Sequence, residues 1–324
     1  MKAVVLYKTG KPEVLSISEV PVPKVKAGWI LVKIKVFGLN RSELMMRQFE
    51  GDAPYIRLPR IIGIECAGEI ANPSDSGLQA GQKVVALMGG MGRTFDGSYA
   101  EYALVPIKHV FTIDTDLSWE EIGAIPETYF TAYGSLFDCL QITPGDTLFI
   151  RGGTSAAGIA AIQLAKNAGA IVLASTRKNN KQDFLRSQGA DQVLIDNGTL
   201  AEQLLKRYPQ GINKVLELIG ASTLLESLKL TARHGIVCCS GQLGKKASLD
   251  GFDPIKDIPN GIYLSGFFSN YPTQQTIDAI FNLIKTNNLH PLIAKVFPLS
   301  EIAQAHSMAE RDEANGKIVV RVAE

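Results

Sequence analysis

The chain changes period partway along. Residues 30–37 (ILVKIKVF) alternate apolar and charged positions, the pattern of a half-buried strand. Residues 61–71 (IIGIECAGEIA) hold two glycines inside an apolar strand, which predicts a bulge or a close backbone approach. Residues 81–87 (GQKVVAL) and 97–105 (GSYAEYALV) read as further strands between Gly- and Pro-rich turns. The first third therefore predicts an antiparallel barrel or sandwich. Near Leu117 the pattern becomes helical, with Ser118 as N-cap, Glu121 at capping-box spacing and Pro126 dividing the run in two. Strands at 147–151, 171–175, 192–195, 214–218, 235–239 and 262–266 then alternate with helices at 157–168, 179–188, 199–207 and 221–230. This alternation predicts an α/β parallel sheet with right-handed crossovers. After a helix at 273–286, the tail KIVVRV has strand character but no place in that sheet, so it is expected to return to the first domain.

The segment TLFIRGGTSAAGIAAIQLAKNAG (147–169) carries the clearest chemistry. A dinucleotide's pyrophosphate needs a tight turn, backbone that approaches without a side chain in the way, and a helix N-terminus aimed at the charge. Gly152 and Gly153 open such a turn, and Gly158 permits close helix–strand packing. Thr154, Ser155 and Ala156 replace the usual middle glycine, and the two hydroxyls are candidate phosphate donors. An NAD site places an acid about 20 residues beyond the motif to hold the ribose 2′-hydroxyl. Here the second strand ends in Ser175-Thr176-Arg177-Lys178, with Lys181 close behind and Asp183 as the first acid. Ser175, Arg177, Lys178 and Lys181 suit a 2′-phosphate, so NADPH is the expected cofactor.

Composition narrows the function classes. A length of 324 residues predicts about two domains. Against 33 Lys and Arg stand 32 Asp and Glu, a balance that disfavours a general nucleic-acid binder. No apolar run is long enough for a bilayer, and the five apolar residues before Lys8 are too few for a signal-peptide core. Cys66, Cys139, Cys238 and Cys239 form no CxxC pair, which reads as cytosolic, reduced usage and a cytoplasmic protein.

Taken in order, GLNRSE (38–43), GIECAGEI (63–70), AGQKVVAL (80–87), GSYAEY (97–102), FTAYGSL (130–136), the 142–166 segment, GAD (189–191), VLELIG (215–220) and GKIVV (316–320) resemble a medium-chain dehydrogenase/reductase of the zinc-independent, quinone oxidoreductase-like branch. The resemblance implies a GroES-like β-barrel catalytic domain at 1–122, a Rossmann NADP-binding domain at 123–268 and a return to the catalytic domain at 269–324. It also implies a homodimer. Zinc-dependent relatives carry Cys where this chain has Asn40 and His where it has Ile64, and the structural zinc loop is missing from 88–110. Glu65 remains, but one carboxylate makes no zinc site. His109, His234, His290 and His306 lack ligand spacing and read as packing or surface groups.

Without a metal to polarise an oxygen, the acceptor must already be electrophilic, as quinones and α,β-unsaturated carbonyls are. The resemblance places Asn40 and Thr131 at catalytic positions beside the cofactor. It assigns Gly241, Gln242, Leu243, Phe267, Phe268 and Ser269 to the nicotinamide loops, and Asn315 and Lys317 to a C-terminal cofactor contact. Tyr55, Tyr129 and Tyr133 are candidate proton donors, ranked behind ordinary packing roles. Asp196, at the end of the third Rossmann strand, would repel a 2′-phosphate unless screened. Substrate shape depends on the loops 41–60 and 243–261, and Arg47, Arg57 and Arg60 near the first of them are candidate anion attractors. Alternatives are an enoyl-thioester reductase and a non-catalytic NADPH-binding sensor, crystallin-like or RNA-binding protein.

Overall fold

Alternating apolar positions in the first third become a mostly antiparallel sheet. The computed structural model describes residues 1–322 apart from 245 and 247, and divides the chain into two units. Unit 1 is Met1–Phe130 with the segment from Ser269 onward; unit 2 is Thr131–Phe268. In unit 1 the first strands are β1 (Lys2–Leu6), β2 (Ser16–Glu19), β3 (Trp29–Leu39), β4 (Arg60–Ile61), β5 (Glu65–Asn72), β6 (Lys83–Leu87), β7 (Tyr102–Pro106) and β8 (Val110–Thr112). Their helices are α1 (Arg41–Phe49) and α2 (Trp119–Gly123), and α3 (Pro126–Tyr133) carries the chain from unit 1 into unit 2. β3 organises the unit: Ile30, Val32, Ile34 and Val36 face inward, each contributing about 1.5–3 kcal/mol through burial. One edge of β3 pairs with β5, the other first with β7 and then with the tail strand.

Unit 2 contains β9 (Thr147–Arg151), β10 (Ile171–Thr176), β11 (Gln192–Ile195), β12 (Ile212–Glu217), β13 (Thr231–Cys239) and β14 (Tyr263–Gly266). Its helices are α4 (Ala156–Asn167), α5 (Gln182–Ser187), α6 (Leu200–Arg207), α7 (Leu224–Lys229) and the short α8 (Pro254–Asp257). All six strands are parallel, in the order β11-β10-β9-β12-β13-β14. Strand order reverses between β9 and β12, and in such sheets ligands bind outside the strand C-termini at that point. Phe149, Leu173, Val215 and Val237 fill the interior of this sheet. Unit 1 resumes with α9 (Gln274–Thr286), β15 (Ile293–Pro298), α10 (Ile302–Glu310) and β16 (Lys317–Arg321). β16 pairs antiparallel with β3, which places the KIVVR segment in unit 1.

Several local expectations need correction. Residues 41–49 are helix rather than loop, because Glu43 accepts from the Asn40 N–H at the helix start while Leu44 and Met46 are buried. The strand expected at 61–71 is two strands, split at Gly63, whose φ of +111° suits glycine. The 97–105 strand begins only at Tyr102. The Ser118–Glu121 capping box forms, and Pro126 opens α3. Beyond it, Gly134–Cys139 is a π-helical turn, whose extra residue per turn leaves no mark in a 3.6-residue pattern. No helix among the described residues is long and apolar enough to cross a membrane.

Candidate active site

The turn after β9 has the backbone expected of a phosphate cradle. Gly152 adopts a φ of +92°, and the Gly153 N–H donates to Ser175 O at 3.0 Å, tying the turn to β10. A Cβ on Gly158 would stand 2.6 Å from Gly152 O, so only glycine lets α4 start this close to the strand. Ser155 caps α4: its hydroxyl accepts from the Gly158 N–H at 3.0 Å and donates to Gly152 O at 2.9 Å. That corrects its assignment as a phosphate donor, since its proton is committed inside the turn. The Thr154 hydroxyl makes no hydrogen bond among the described residues, and the N–H groups of Ala156 and Ala157 lie in the first helical turn, where no intrahelical acceptor exists.

Ser175 is nearly fully buried, and its hydroxyl accepts from the Gly152 N–H at 3.2 Å, so it too shapes the turn. Beyond it, Arg177 and Lys178 are exposed cations where β10 leaves the sheet, and Lys181 is half-buried with its ammonium over the Phe184 ring. The acid that threatened a 2′-phosphate, Asp196, is held in an ion pair by Arg151. Leu243 packs beside Gly152, and Gly241 is pressed against the backbone of Leu218. Residues 245 and 247 of the neighbouring loop lie outside the described set. Phe267 covers Gly134, Phe268 is largely exposed, and Thr131 is buried with its carbonyl accepting from Ser135 Oγ at 2.7 Å.

Unit 1 holds a different kind of centre. Lys317, 3% exposed, sends its ammonium to Asn40 Oδ1 at 2.5 Å, Thr128 Oγ1 at 2.7 Å and Glu65 Oε1 at 2.8 Å. The Asn40 Nδ2 donates to the same Glu65 oxygen at 2.8 Å, and Glu65 Oε2 accepts from the Glu127 N–H at 2.6 Å. The Asn40 amide is thereby fixed in one orientation, its oxygen on the cation and one of its two N–H bonds on the carboxylate. Glu43 is fully buried beside this group and accepts from the Asn40 and Ile64 N–H groups at 3.0 Å each. Burial pushes its carboxyl up to about 7, with the Ile64 N–H pulling the other way and Glu65 adding to the rise. The sequence offers Glu65 only as a carboxylate too few for a zinc site and does not single out Thr128 or Glu43; an acid inside the apolar run IIGIECAGEIA is the signal for Glu65.

Other candidates find other roles. Lys317, expected as a cofactor contact, is committed to Glu65, Asn40 and Thr128, whereas Asn315 is half-buried. The Ser269 hydroxyl donates to Glu127 Oε1 at 3.2 Å. Arg47 is no surface anion attractor: it is fully buried, paired with Glu310, and its Nε donates to His306 Nδ1 at 3.2 Å. Arg60 pairs with Asp96 at 2.9 Å. His306 is buried against Arg47 and Tyr99, and burial pulls its imidazole down to about 3. Tyr129 is buried and its phenol pushed well up, which makes it a poor proton donor; Tyr55 is about half exposed.

The donor set does not fit zinc. Asn40 and Ile64 offer no anionic or imidazole ligand, and the ammonium of Lys317 already stands where a metal would meet Glu65. Among the described residues, no group of three or more His, Cys, Asp or Glu side chains is arranged to hold a metal ion. The turn in unit 2, by contrast, fits a dinucleotide's phosphates.

Two family descriptions match the chain: an alcohol dehydrogenase GroES-like domain at residues 26–115 and a zinc-binding dehydrogenase at residues 188–320. Human quinone oxidoreductase is 28% identical over 330 aligned positions, covering 99% of this chain and 97% of the relative. A solved NAD-dependent alcohol dehydrogenase is similar at 27% identity with a TM-score of 0.88, covering all of both chains. A mycobacterial structure complexed with NADPH shares the fold at 22% identity and a TM-score of 0.88, covering 99% of this chain and all of that one. With the parallel sheet, the phosphate turn and the GroES-like sheet in place, the chain belongs to the medium-chain dehydrogenase/reductase family, as an oxidoreductase of its quinone oxidoreductase branch.

Proposed function

We propose that this chain is a zinc-independent, NADPH-dependent reductase whose acceptor is a quinone or another α,β-unsaturated carbonyl. The observation that carries this reading is the Lys317 cluster, in which an internal ammonium rather than a metal compensates Glu65 beside Asn40. An acceptor that needs no Lewis acid is the class such a centre serves, because conjugation already makes its carbon electrophilic. Bound NADPH supplies the hydride from C4, and one proton from solvent completes each two-electron reduction. The protein's part is to bind and orient.

In this reading the turn Gly152-Gly153-Thr154, with Ala156 and Gly158, binds the diphosphate at the start of α4. Arg177, Lys178 and Lys181 take the 2′-phosphate. Gly241, Gln242, Leu243, Phe267, Phe268 and Ser269 shape the nicotinamide end, with Thr131 beside it. Asn40 donates its second Nδ2 hydrogen to the acceptor's oxygen, in the orientation that Lys317 and Glu65 impose.

Titration calorimetry with NADPH and NADH, followed by NADPH oxidation with 1,2-naphthoquinone, 9,10-phenanthrenequinone, simple enones and a 2-enoyl thioester, tests the proposal. Tighter binding of NADPH and turnover of the quinones or enones are expected. Binding without turnover of any acceptor would move the assignment to a nucleotide-binding sensor. Stoichiometric zinc in the active protein would overturn it.

A further inference from the structure

Arg151 is the last residue of β9, directly before Gly152, and only 2% exposed. Its guanidinium grips Asp196 with two prongs, Nε to Oδ2 at 2.9 Å and Nη2 to Oδ1 at 3.2 Å. Nη2 also stands 2.6 Å from Glu226 Oε2, and Nη1 donates to Ser227 Oγ and Thr223 O at 3.4 Å each. Burial works against the guanidinium's charge, but the hydrogen bonds to Asp196 and Glu226 outweigh it.

The position of Asp196 gives this pairing its meaning. Its N–H donates to Thr176 O at 2.9 Å, so the carboxylate lies next to the end of β10, where Ser175, Thr176, Arg177 and Lys178 leave the sheet. In nucleotide-binding sheets that strand end reads the ribose 2′ substituent, and an acid there accepts from a 2′-hydroxyl and repels a 2′-phosphate. Asp183, the other acid nearby, is exposed and paired with Arg186 at 2.7 Å. A planar guanidinium binding both carboxylate oxygens occupies the acceptor sites as well as answering the charge.

Resting on the nucleotide reading above, we infer that Arg151 sets the cofactor preference: by holding Asp196 it removes a carboxylate from the ribose 2′ position, so that a 2′-phosphate arriving at Arg177 and Lys178 meets no repulsion from that acid. Arg151 acts through Asp196 and is a positioning residue.

The test is the ratio of NADPH to NADH dissociation constants, measured by calorimetry on the full chain, so that each variant is its own folding control. R151M releases Asp196, and the preference for NADPH should fall on the order of tenfold, the scale of one uncompensated charge seen through solvent. D196N, which removes the acid and keeps Arg151, should retain the wild-type ratio. The double variant R151M/D196N should recover it. R151Q, which keeps a donor but drops the charge, should shift the ratio in the same direction as R151M and serves if R151M does not fold. An unchanged ratio in R151M or R151Q, or no recovery in the double variant, would overturn the inference. Failure of the wild-type chain to bind either nucleotide would instead overturn the nucleotide reading, and this inference with it.

Discussion

The two polar centres treat charge in opposite ways. Around Lys317 the ammonium, the Glu65 carboxylate and the Asn40 amide answer one another from within unit 1, leaving one Asn40 N–H uncommitted. At the glycine turn of unit 2, Ser155 and Ser175 are spent on the turn's own backbone, while the first N–H groups of α4 have no partner in the helix. Buried charges must be compensated by the protein, and donors at a helix start can wait for a ligand. In the proposed function the first centre is therefore a framework for a single donor, and the second the receptor for the nucleotide.

Removing the cation should strain this contrast most. Lys317→Met leaves Glu65 buried without its counter-charge, at an expected cost of about 3–5 kcal/mol in urea denaturation. The double change with Glu65→Gln should recover most of it; if Lys317→Met alone is neutral, the centre is not a compensated framework. Next in size, Gly158→Val forces a Cβ towards Gly152 O and should weaken nucleotide binding by about 100-fold, roughly 3 kcal/mol, in calorimetry. Unimpaired binding would remove the turn from the receptor.

The pH dependence of stability sharpens the contrast further. The Glu43 carboxyl is raised from 4.5 to about 7, so the unfolded chain gives up this proton first as pH rises. Its contribution is full below pH 4.5 and is lost as pH climbs through about 7, by roughly 3 kcal/mol. His306 is lowered from 6.5 to about 3, so its contribution is full above pH 6.5 and is lost as pH falls towards 3. Chemical denaturation across this range should show Glu43→Gln removing the loss on the alkaline side and His306→Gln the loss on the acid side. Identical profiles for wild type and Glu43→Gln would refute the assignment of that slope. The smallest effect belongs to Ser155→Ala, which loses the cap of α4 for about 1 kcal/mol of stability. A thermal melt that did not move would mean the hydroxyl is not holding the turn.

Local features were legible because neighbouring residues encode them. The alternation at 30–37, the strand–helix rhythm from 147, the Ser118–Glu121 box and the break at Pro126 all appear in the structure close to where the pattern puts them. The helix at 41–49 leaves little mark in the pattern, because its start rests on one bond from the Asn40 N–H to Glu43 amid polar residues. Arg47 looked like a surface cation because its partners, His306 and Glu310, lie more than 250 residues on.

By itself the sequence determined the two-part α/β organisation, the glycine turn and the absence of an acid at the end of β10, all of which depend on residues next to one another. Only the tertiary structure decided which charges meet. Lys317 reaches Asn40 across 277 positions because β16 pairs with β3, and Arg151 reaches Asp196 because the parallel sheet sets β10 between β9 and β11. Backbone conformation is written locally, whereas compensation of a buried charge depends on which distant strands come to lie side by side.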